Sequence, residues 1–471
     1  MKKWYPWLLL AIVAVLAALL RVCDREDLRL EETTQQPPAR VAGAVSSVTL
    51  AAAPAQAADW LILSSFALID GTGAPARFVE QLRIRGGIIV AIDGEGDLAP
   101  PAERDIVLSV DLGGGFVMPG LVDTHVHVGR FPKARAEAER IWKAAVRGGV
   151  TSVRDLGGDA RALAEAGRAM MNGEFVGATL AHSAMFGGES LFAQDRRLAG
   201  HAIGFAPGTA PWSKAVTEDS DLRLAVAEAR GAGATIAKLY GNLDERLARR
   251  LIAEAERQGL RTAAHATVFP AGPSALVAAG VDSLSHAPYL VWEGAQRIPA
   301  DYEARTRGPW AEIPPDHSKL LAVYDRMAER GVFLDATLFV YRDMAKFSPA
   351  VDADWTGAAF SWAMQAVRVA HERGVRITTG TDWFEPRSEA DLPHTHEELA
   401  LLVEAGLSPM AAIVAGTRNG AEAMGIGATR GTIAIGKAAD LLVLDADPLV
   451  DIRNTTKLRF VVKDGRIVNS Y

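Results

Sequence analysis

The sequence predicts an α/β protein in which a (β/α)8 barrel, or TIM barrel, is joined to a small β-sandwich made from both chain ends. Three observations support this fold class. Short apolar runs alternate with amphipathic, helix-like segments across residues 117–425, which is typical of a parallel sheet with helical crossovers. Several of these runs end in a His, Lys or Asp. Short β-like runs separated by glycine-rich turns precede and follow this central region.

The first 57 residues are predicted to lie outside the folded domains. Lys2 and Lys3 precede an apolar run over residues 4–20. This run is slightly short for a membrane span and slightly long for a signal-peptide core. Residues 1–22 are therefore interpreted as a signal or a membrane anchor, and residues 23–57 as a linker. Both alternatives predict an exported protein, periplasmic or anchored to the inner membrane if it is bacterial, and an anchor would associate it with the membrane.

The two flanking β-rich parts, residues 58–116 and 426–471, are predicted to combine into one composite β-sandwich. Neither part has enough strand-like runs for an independent sheet. Their pairing would make the barrel, residues 117–425, an insertion between the two halves.

The central region contains eight strand-like segments, the number that a (β/α)8 barrel requires. The charged and proline-rich stretch 291–319 is predicted to be a loop insertion that shapes the substrate pocket. The predicted strands are Val122–His127, Ser152–Asp155, Thr179–Met185, Thr235–Tyr240, Thr262–Ala266, Ser283–His286, Val332–Thr337 and Arg376–Asp382.

His125 and His127 are the strongest candidates for metal ligands. In a β-strand, residues i and i+2 project to the same side, so two neutral imidazoles at this spacing can bind one ion. Other potential ligands each end a separate apolar or small-residue run. Because the C-terminal ends of barrel strands meet at one face, all of these side chains are expected to lie together. The further candidates are Lys238, His265, His286 and Asp382.

The composition narrows the class of protein. The formal net charge of −7 gives no indication of nucleic-acid binding, which requires a basic face. A single cysteine, Cys23, excludes an intramolecular disulfide framework and a cysteine-based zinc site. The composition therefore agrees with a metal enzyme that acts on a small molecule through His, Asp and Lys ligands.

Four motifs together resemble the amidohydrolase superfamily of metal-dependent hydrolases, and the resemblance covers about residues 58–471. Three of them lie at the first, second and eighth predicted barrel strands, and the fourth marks the return into the β-sandwich. They are Pro119–His127 (PGLVDTHVH), Gly149–Asp155 (GVTSVRD), Gly380–Asp382 (GTD) and Gly436–Leu444 (GKAADLLVL). The neighbours Arg154 and Asp155 in the second motif are expected to form a structural ion pair.

The resemblance implies a binuclear centre that holds two divalent ions, with zinc expected from the imidazole and carboxylate ligands. It assigns His125, His127 and Asp382 to the more buried ion, and His265 and His286 to the second. Lys238 would be carboxylated by CO2 and bridge the two ions, and the alternative for Lys238 is a surface lysine. Asp382 would also be the catalytic residue, because it would take the proton of a metal-bridging water and deliver it to the leaving group.

The overall pattern most resembles the prolidase-like members, the Xaa-Pro dipeptidases, and the imidazolonepropionase-related amidohydrolases. It implies hydrolysis of a C–N amide bond in a dipeptide or N-acyl amino acid. The sequence departs from these peptidases at Phe186–Ser190 (FGGES), where they usually carry a Gly-His pair after the third strand. Two alternatives are therefore a hydrolase of a cyclic amide, lactone or ester, and a catalytically silent relative. Tyr240 and His182 are predicted to bind substrate, and a homo-oligomer is compatible with the sequence.

Overall fold

The computed structural model describes residues 58–129, 135–347, 353–382 and 391–468. The predicted signal or anchor, residues 1–22, and the predicted linker, residues 23–57, lie outside the described residues. Within the described ranges, no helix combines the length and the apolarity that crossing a membrane requires.

The described strands fall into a sheet from the chain ends and a barrel from the central region. They are β1 Trp60–Leu68, β2 Arg77–Arg85, β3 Ile88–Ile92, β4 Glu95–Gly96, β5 Val107–Pro119, β6 Leu121–Val126, β7 Val150–Asp155, β8 Thr179–Gly187, β9 Thr209–Ala210, β10 Ser213–Ala215, β11 Ile236–Leu239, β12 Arg261–His265, β13 Ser283–Ser285, β14 Phe333–Asp335, β15 Arg376–Thr378, β16 Leu441–Leu444, β17 Leu458–Lys463 and β18 Arg466–Val468.

The helices of the described residues follow the barrel strands. They are Arg135–Arg147, Ala160–Met171, Glu189–Gln194, Leu222–Gly231, Glu245–Arg257, Pro273–Ala279, Ser318–Arg330, Leu338–Phe347, Ala353–Glu372, Thr395–Glu404, Pro409–Val414 and Gly420–Ala423. Shorter 3-10 turns are Arg196–His201, Ala287–Glu293, Tyr302–Arg307 and Ile452–Thr456, and Ala415–Asn419 is a π-helical turn.

The predicted β-domain built from both chain ends is confirmed. Its eight strands lie in the order β18-β17-β16-β5-β1-β2-β3-β4. The two halves meet where β16 runs antiparallel to β5, with Leu441 opposite Pro119. Alternate apolar residues of both halves, among them Leu63, Phe66 and Phe460, are buried in one shared core. Neither half could bury this face without the other, which is why the chain must return to it after the barrel.

The predicted (β/α)8 barrel is also confirmed. Strands β6, β7, β8, β11, β12, β13, β14 and β15 lie side by side and parallel in that order. The first and last strands are joined by backbone hydrogen bonds. The Thr124 N–H donates to the Thr379 carbonyl at 2.8 Å, and the Asp382 N–H donates to the His125 carbonyl at 2.8 Å. These bonds close the ring of strands.

The helix Glu245–Arg257 illustrates how the sequence builds the outer layer of the barrel. The Asp244 carboxylate caps its first turn by accepting the Leu247 N–H at 2.8 Å. Leu247, Leu251 and Ile252 recur at the helical spacing and are buried against the barrel. The exposed face is charged, so the helix packs in one orientation only.

Several strand boundaries differ from the prediction. The predicted strands that end at His286, Thr337 and Asp382 stop earlier, at Ser285, Asp335 and Thr378, and each predicted end residue has a positive φ, of 70°, 52° and 52°. A left-handed residue breaks the β-ladder and turns its side chain away from the strand direction. At the other end, the predicted barrel start at residue 117 falls inside the continuous strand β5.

Candidate metal centre

The six residues predicted as metal ligands all lie toward the C-terminal ends of barrel strands. This is the face at which (β/α)8 barrels carry their chemistry, because the loops that follow the strands meet there. His125 lies in β6 and His127 just beyond it, Lys238 lies in β11, His265 ends β12, and His286 and Asp382 follow β13 and β15.

The structure brings these side chains into one cluster. Ligand atoms of His125, His286 and Asp382 all lie within 4.8 Å of one another. The His127 Nε2 is 3.0 Å from the Asp382 Oδ1. The His265 ring lies beside His286, with centroids 4.7 Å apart. This His/His/Asp arrangement suits a divalent cation.

Three buried nitrogen atoms of the cluster have no hydrogen-bond partner among the residues that the structure describes. They are the Nε2 of His125, the Nδ1 of His265 and the Nζ of Lys238. A buried polar atom without a partner costs free energy, so such atoms are rare unless they serve a ligand. Imidazole nitrogens with free lone pairs are the donors that divalent transition metals prefer. The residues present therefore fit a metal centre.

The electrostatics of the cluster keep its ligands in the form that binds cations. Burial lowers the pKa of His265 and His286 well below its ordinary value, so both imidazoles are neutral near pH 7. Burial would raise the pKa of Asp382, but His125 and His127 outweigh it and hold that pKa far below the usual range. Asp382 is therefore an anion in this site.

Asp335, at the end of β14, orients His125. Its Oδ2 lies 2.7 Å from the His125 Nδ1, which directs the Nε2 toward the cluster. The buried Arg154 guanidinium lies 3.8 Å from the same carboxylate oxygen and donates to the Thr124 carbonyl at 2.6 Å. Burial would raise the pKa of Asp335, but His125 and Arg154 outweigh this effect and lower the pKa to about 2.

The expected ion pair between Arg154 and Asp155 is wrong. Adjacent residues of a strand face opposite sides, and the Arg154 side chain therefore points into the barrel toward Asp335. Asp155 instead accepts backbone N–H groups of Val128 at 2.8 Å and Gly129 at 3.1 Å. Its carboxylate thereby shapes the loop that follows His127.

Two glycines allow the close packing behind the histidines. A Cβ at Gly380 would clash with the Asp335 carboxylate and lie 2.7 Å from the His125 Cβ. A Cβ at Gly157 would lie 2.9 Å from the Met185 sulfur and 3.1 Å from the His127 ring. The Gly157 carbonyl in turn lies 2.9 Å from the His127 Nδ1. Side chains at either position would displace an imidazole of the cluster.

The sequence model of the amidohydrolase family matches residues 116–468, which is most of the chain. The chain belongs to the amidohydrolase family. It is accordingly a hydrolase that acts on carbon–nitrogen bonds. A comparison with curated proteins finds no match.

Solved structures share the fold of this amidohydrolase. A Xaa-Pro dipeptidase with bound methionine is 22% identical, with 87% of this chain and 100% of that chain covered and a TM-score of 0.67. Ochratoxinase from A. niger is 25% identical, with 88% and 96% covered and a TM-score of 0.65. Phenylurea hydrolase B is 19% identical, with 87% and 97% covered and a TM-score of 0.64.

The amidohydrolase centre opens into a cavity of about 460 Å³. Tyr240, a predicted substrate residue, lines it, and its ring lies 4.3 Å from that of His265. The sequence did not predict most of the other residues that line the cavity, because they belong to loops whose path the sequence does not reveal. The missed residues that line the cavity include Arg197, Tyr289, Tyr302, Arg305 and Tyr341.

His182, the other predicted substrate residue, does not join the cluster. On β8, the Met185 side chain points to the side of the strand on which His127 lies. Because side chains alternate along a strand, His182, three residues earlier, faces the opposite side. It lines a separate cavity of about 920 Å³ together with Gly233, Thr235 and Lys463. The amidohydrolase centre and His182 therefore lie on different faces of the same strand.

Proposed function

We propose that this amidohydrolase cleaves an amide bond in a dipeptide or N-acyl amino acid at a two-metal centre. The observation that carries the proposal is the convergence of six ligand residues, three with unpartnered buried nitrogens, at the mouth of the barrel. The cavity of about 460 Å³ above them has room for a small substrate and exposes His127 and Asp382 to it.

The donor set is sufficient for two divalent ions. His125 and His127 with Asp382 would hold one ion, and His265 with His286 the other. Zinc suits these nitrogen and oxygen donors. When bound, such ions supply Lewis acidity toward the amide carbonyl and lower the pKa of a water molecule near it.

Lys238 is proposed to become a carbamate that bridges the two ions. Its Nζ is fully buried and has no hydrogen-bond partner in the described ranges, and burial lowers its pKa to about 7, so a neutral amine is available near physiological pH. The Nζ lone pair would form a bond to the carbon of CO2, and the nitrogen would release one proton. In this step one C=O bond of CO2 becomes a C–O⁻ bond, and the carbamate carries a single negative charge shared by its two oxygens, which cations in the cluster would neutralise.

Asp382 and Tyr240 are proposed to act on the substrate directly. Asp382 is anionic and lies at the cavity surface, so it can accept a proton from the attacking water and pass it to the leaving nitrogen. Burial raises the pKa of Tyr240, so its hydroxyl stays protonated and can donate a hydrogen bond to the substrate carbonyl.

Substrate profiling tests the proposed reaction. The purified zinc-loaded protein would be incubated with a library of dipeptides and N-acyl amino acids, and free C-terminal amino acids would be quantified. We expect release of one class of amino acid, together with two zinc ions per chain by elemental analysis. Silence across the library with two ions bound would contradict the proposal and favour a cyclic amide, lactone or ester.

The Lys238 role has a separate test. Lys238→Ala should lower the metal content below two ions per chain and abolish turnover, because the bridging ligand is gone. Lys214→Ala is a matched control, since Lys214 pairs with Glu228 away from the site. Two ions and full activity in Lys238→Ala would contradict a bridging lysine.

We further propose that the protein is exported through its N-terminal segment. Support comes from Lys2 and Lys3 followed by the apolar run over residues 4–20. N-terminal sequencing of the mature protein distinguishes the alternatives. A start at Ala58, directly after Ala55-Gln56-Ala57, which resembles a signal-peptidase site, indicates a cleaved signal, and an intact start in the membrane fraction indicates an anchor. An intact start in the cytoplasmic fraction would contradict export.

A further inference from the structure

The cavity above the metal centre has a cationic wall. Among the described residues that line it, Arg197, Arg305 and Arg307 are basic, and Asp382 is the one acid. Asp382 belongs to the metal centre and faces its histidines. A substrate that enters this cavity therefore meets three arginine side chains in addition to the candidate metal ligands.

Arg305 is a fixed and largely desolvated cation in this wall. Its side chain is 14% exposed and its guanidinium carbon lies 4.3 Å from the centre of the Tyr302 ring. The Nη1 donates to the Tyr302 carbonyl at 3.3 Å and to the Glu303 carboxylate at 3.2 Å. Both of these weak contacts use the Nη1 of Arg305, and the Glu303 side chain is itself mostly exposed to solvent. The guanidinium therefore retains donors for an anion in the cavity.

Arg305 lies where it could contact a substrate group one residue beyond the scissile bond. The Tyr302 ring stacks on the His265 imidazole, with centroids 5.2 Å apart and planes 17° from parallel. One aromatic ring therefore separates the guanidinium from a metal-ligand candidate. In an amide substrate, the terminal carboxylate of the leaving amino acid lies one residue, about 3.6 Å of extended chain, from the scissile bond.

Arg197 reinforces this position from a different loop. It follows β8, whereas Arg305 belongs to the insertion after β13, and the two positive charges oppose each other electrostatically. Asp195 holds Arg197 through two hydrogen bonds, at 2.8 Å and 2.5 Å. Because Asp195 neutralises Arg197, Arg305 is the stronger anchor and Arg197 the weaker one.

We propose that Arg305, assisted by Arg197, binds the free carboxylate of the substrate, so that the enzyme releases a single C-terminal amino acid. This specificity rests on the amide hydrolysis proposed above. Guanidinium groups pair with carboxylates through parallel hydrogen bonds, which also fix the orientation of the bound group. Internal amide bonds and neutral C-terminal amides would lack this contact.

Matched acid and amide substrates test the assignment. Ala-Pro, Ala-Arg and N-acetyl-L-methionine would each be assayed as the free acid and as the C-terminal carboxamide. We expect the wild-type protein to prefer the acids by about 10- to 100-fold in kcat/KM, mostly through KM, as the loss of a charged hydrogen bond predicts. Arg305→Gln should remove most of that preference, Arg305→Lys should restore part of it, and Arg197→Gln should have a smaller effect.

Arg297→Gln is the matched control, because Arg297 is exposed in the same insertion but does not line the cavity. It should leave the preference for acids unchanged. Equal cleavage of acids and amides by the wild type, or an equal loss on both in Arg305→Gln, would overturn the carboxylate assignment alone. Cleavage of neither acids nor amides by the metal-loaded wild type would instead overturn the proposed amide hydrolysis.

Discussion

Two buried lysines in this protein have opposite surroundings. Lys463, at the end of β17 in the composite sheet, donates to Asp464 at 2.7 Å, to both oxygens of Asp440 at 3.2 Å, and to Thr179 at 3.0 Å. Lys238, in the barrel strand β11, is equally buried, and its Nζ has no hydrogen-bond partner within the described part of the chain. The same residue type is fully neutralised in one region and left uncompensated in the other.

The contrast extends beyond the lysines. In the sheet, Arg430 pairs with both Asp440 and the half-exposed Asp464, so two cations face two anions there. At the barrel mouth, imidazole nitrogens of His125 and His265 have no hydrogen-bond partner among the described residues. The neighbouring His286 and Asp382 have left-handed backbone conformations. Uncompensated groups and backbone strain both cost stability, and they persist where a ligand compensates them. The difference separates a structural network from a binding centre.

The largest expected effect is on catalysis at the barrel mouth. Asp382→Asn should lower kcat by about 10²- to 10⁴-fold because the amide cannot accept the proton, while the protein remains folded. Asp440→Asn in the sheet should do the reverse, with lower stability but normal kcat per folded molecule. Steady-state kinetics and denaturant unfolding of both variants measure this, and normal turnover in Asp382→Asn would contradict the role of Asp382.

Replacement of each lysine by methionine should change stability in opposite directions. Lys463→Met leaves Arg430 to pair with both Asp440 and Asp464, so one buried negative charge loses its cation, and the protein should be destabilised by up to about 3–5 kcal/mol. Lys238→Met removes an unpaired buried amine and should leave the metal-free protein unchanged or up to about 4 kcal/mol more stable. Urea unfolding after metal removal measures both, and a large destabilisation in Lys238→Met would erase the contrast.

A buried carboxyl near the barrel mouth should make stability depend on pH. Glu398 accepts the Leu338 and Phe339 N–H groups at 2.9 Å and 2.6 Å, yet burial raises its pKa from 4.5 to about 8. The folded state therefore binds the Glu398 proton more tightly than the unfolded state does. The resulting contribution to the free energy of unfolding is complete below pH 4.5 and is lost as the pH rises through about 8. The slope is at most about 1.4 kcal/mol per pH unit.

Glu398→Gln should remove that contribution. Unfolding free energies of the metal-free protein at pH 5, 6.5 and 8 would measure it for both chains. Asp123, whose pKa burial raises to about 7, contributes part of the slope in both proteins and is unaffected by the substitution. Identical slopes in wild type and variant would show that Glu398 is ionised in the folded state.

The smallest expected effect concerns His182. Because it faces the cavity toward the composite sheet rather than the metal centre, His182→Ala should change kcat/KM by less than about twofold, since the side chain lines neither the proposed substrate cavity nor the cluster of candidate ligands. A matched Tyr240→Phe variant, on the cavity side, should lose considerably more. A large loss of kcat/KM in His182→Ala would place His182 in the site after all.

The sequence was most informative where one residue type ended an apolar run. His125, Lys238 and Asp382 each ended such a run, and the structure brings all three to the barrel mouth. Asp335 also ends a short apolar strand, Phe333–Asp335, so the same signal could have identified it. His182 misled the prediction because a strand exposes alternate faces, and the correct face depends on where the strand begins.

The sequence by itself determined the fold class and the positions of the candidate metal ligands, because strand periodicity and strand ends are local properties. The tertiary structure alone decided which loops surround those ligands. Arg197 and Arg305 lie more than one hundred residues apart in sequence, yet both line one cavity. Long-range packing of surface loops brings such distant residues together. The sequence periodicity that predicts strands and helices gives no information about this packing.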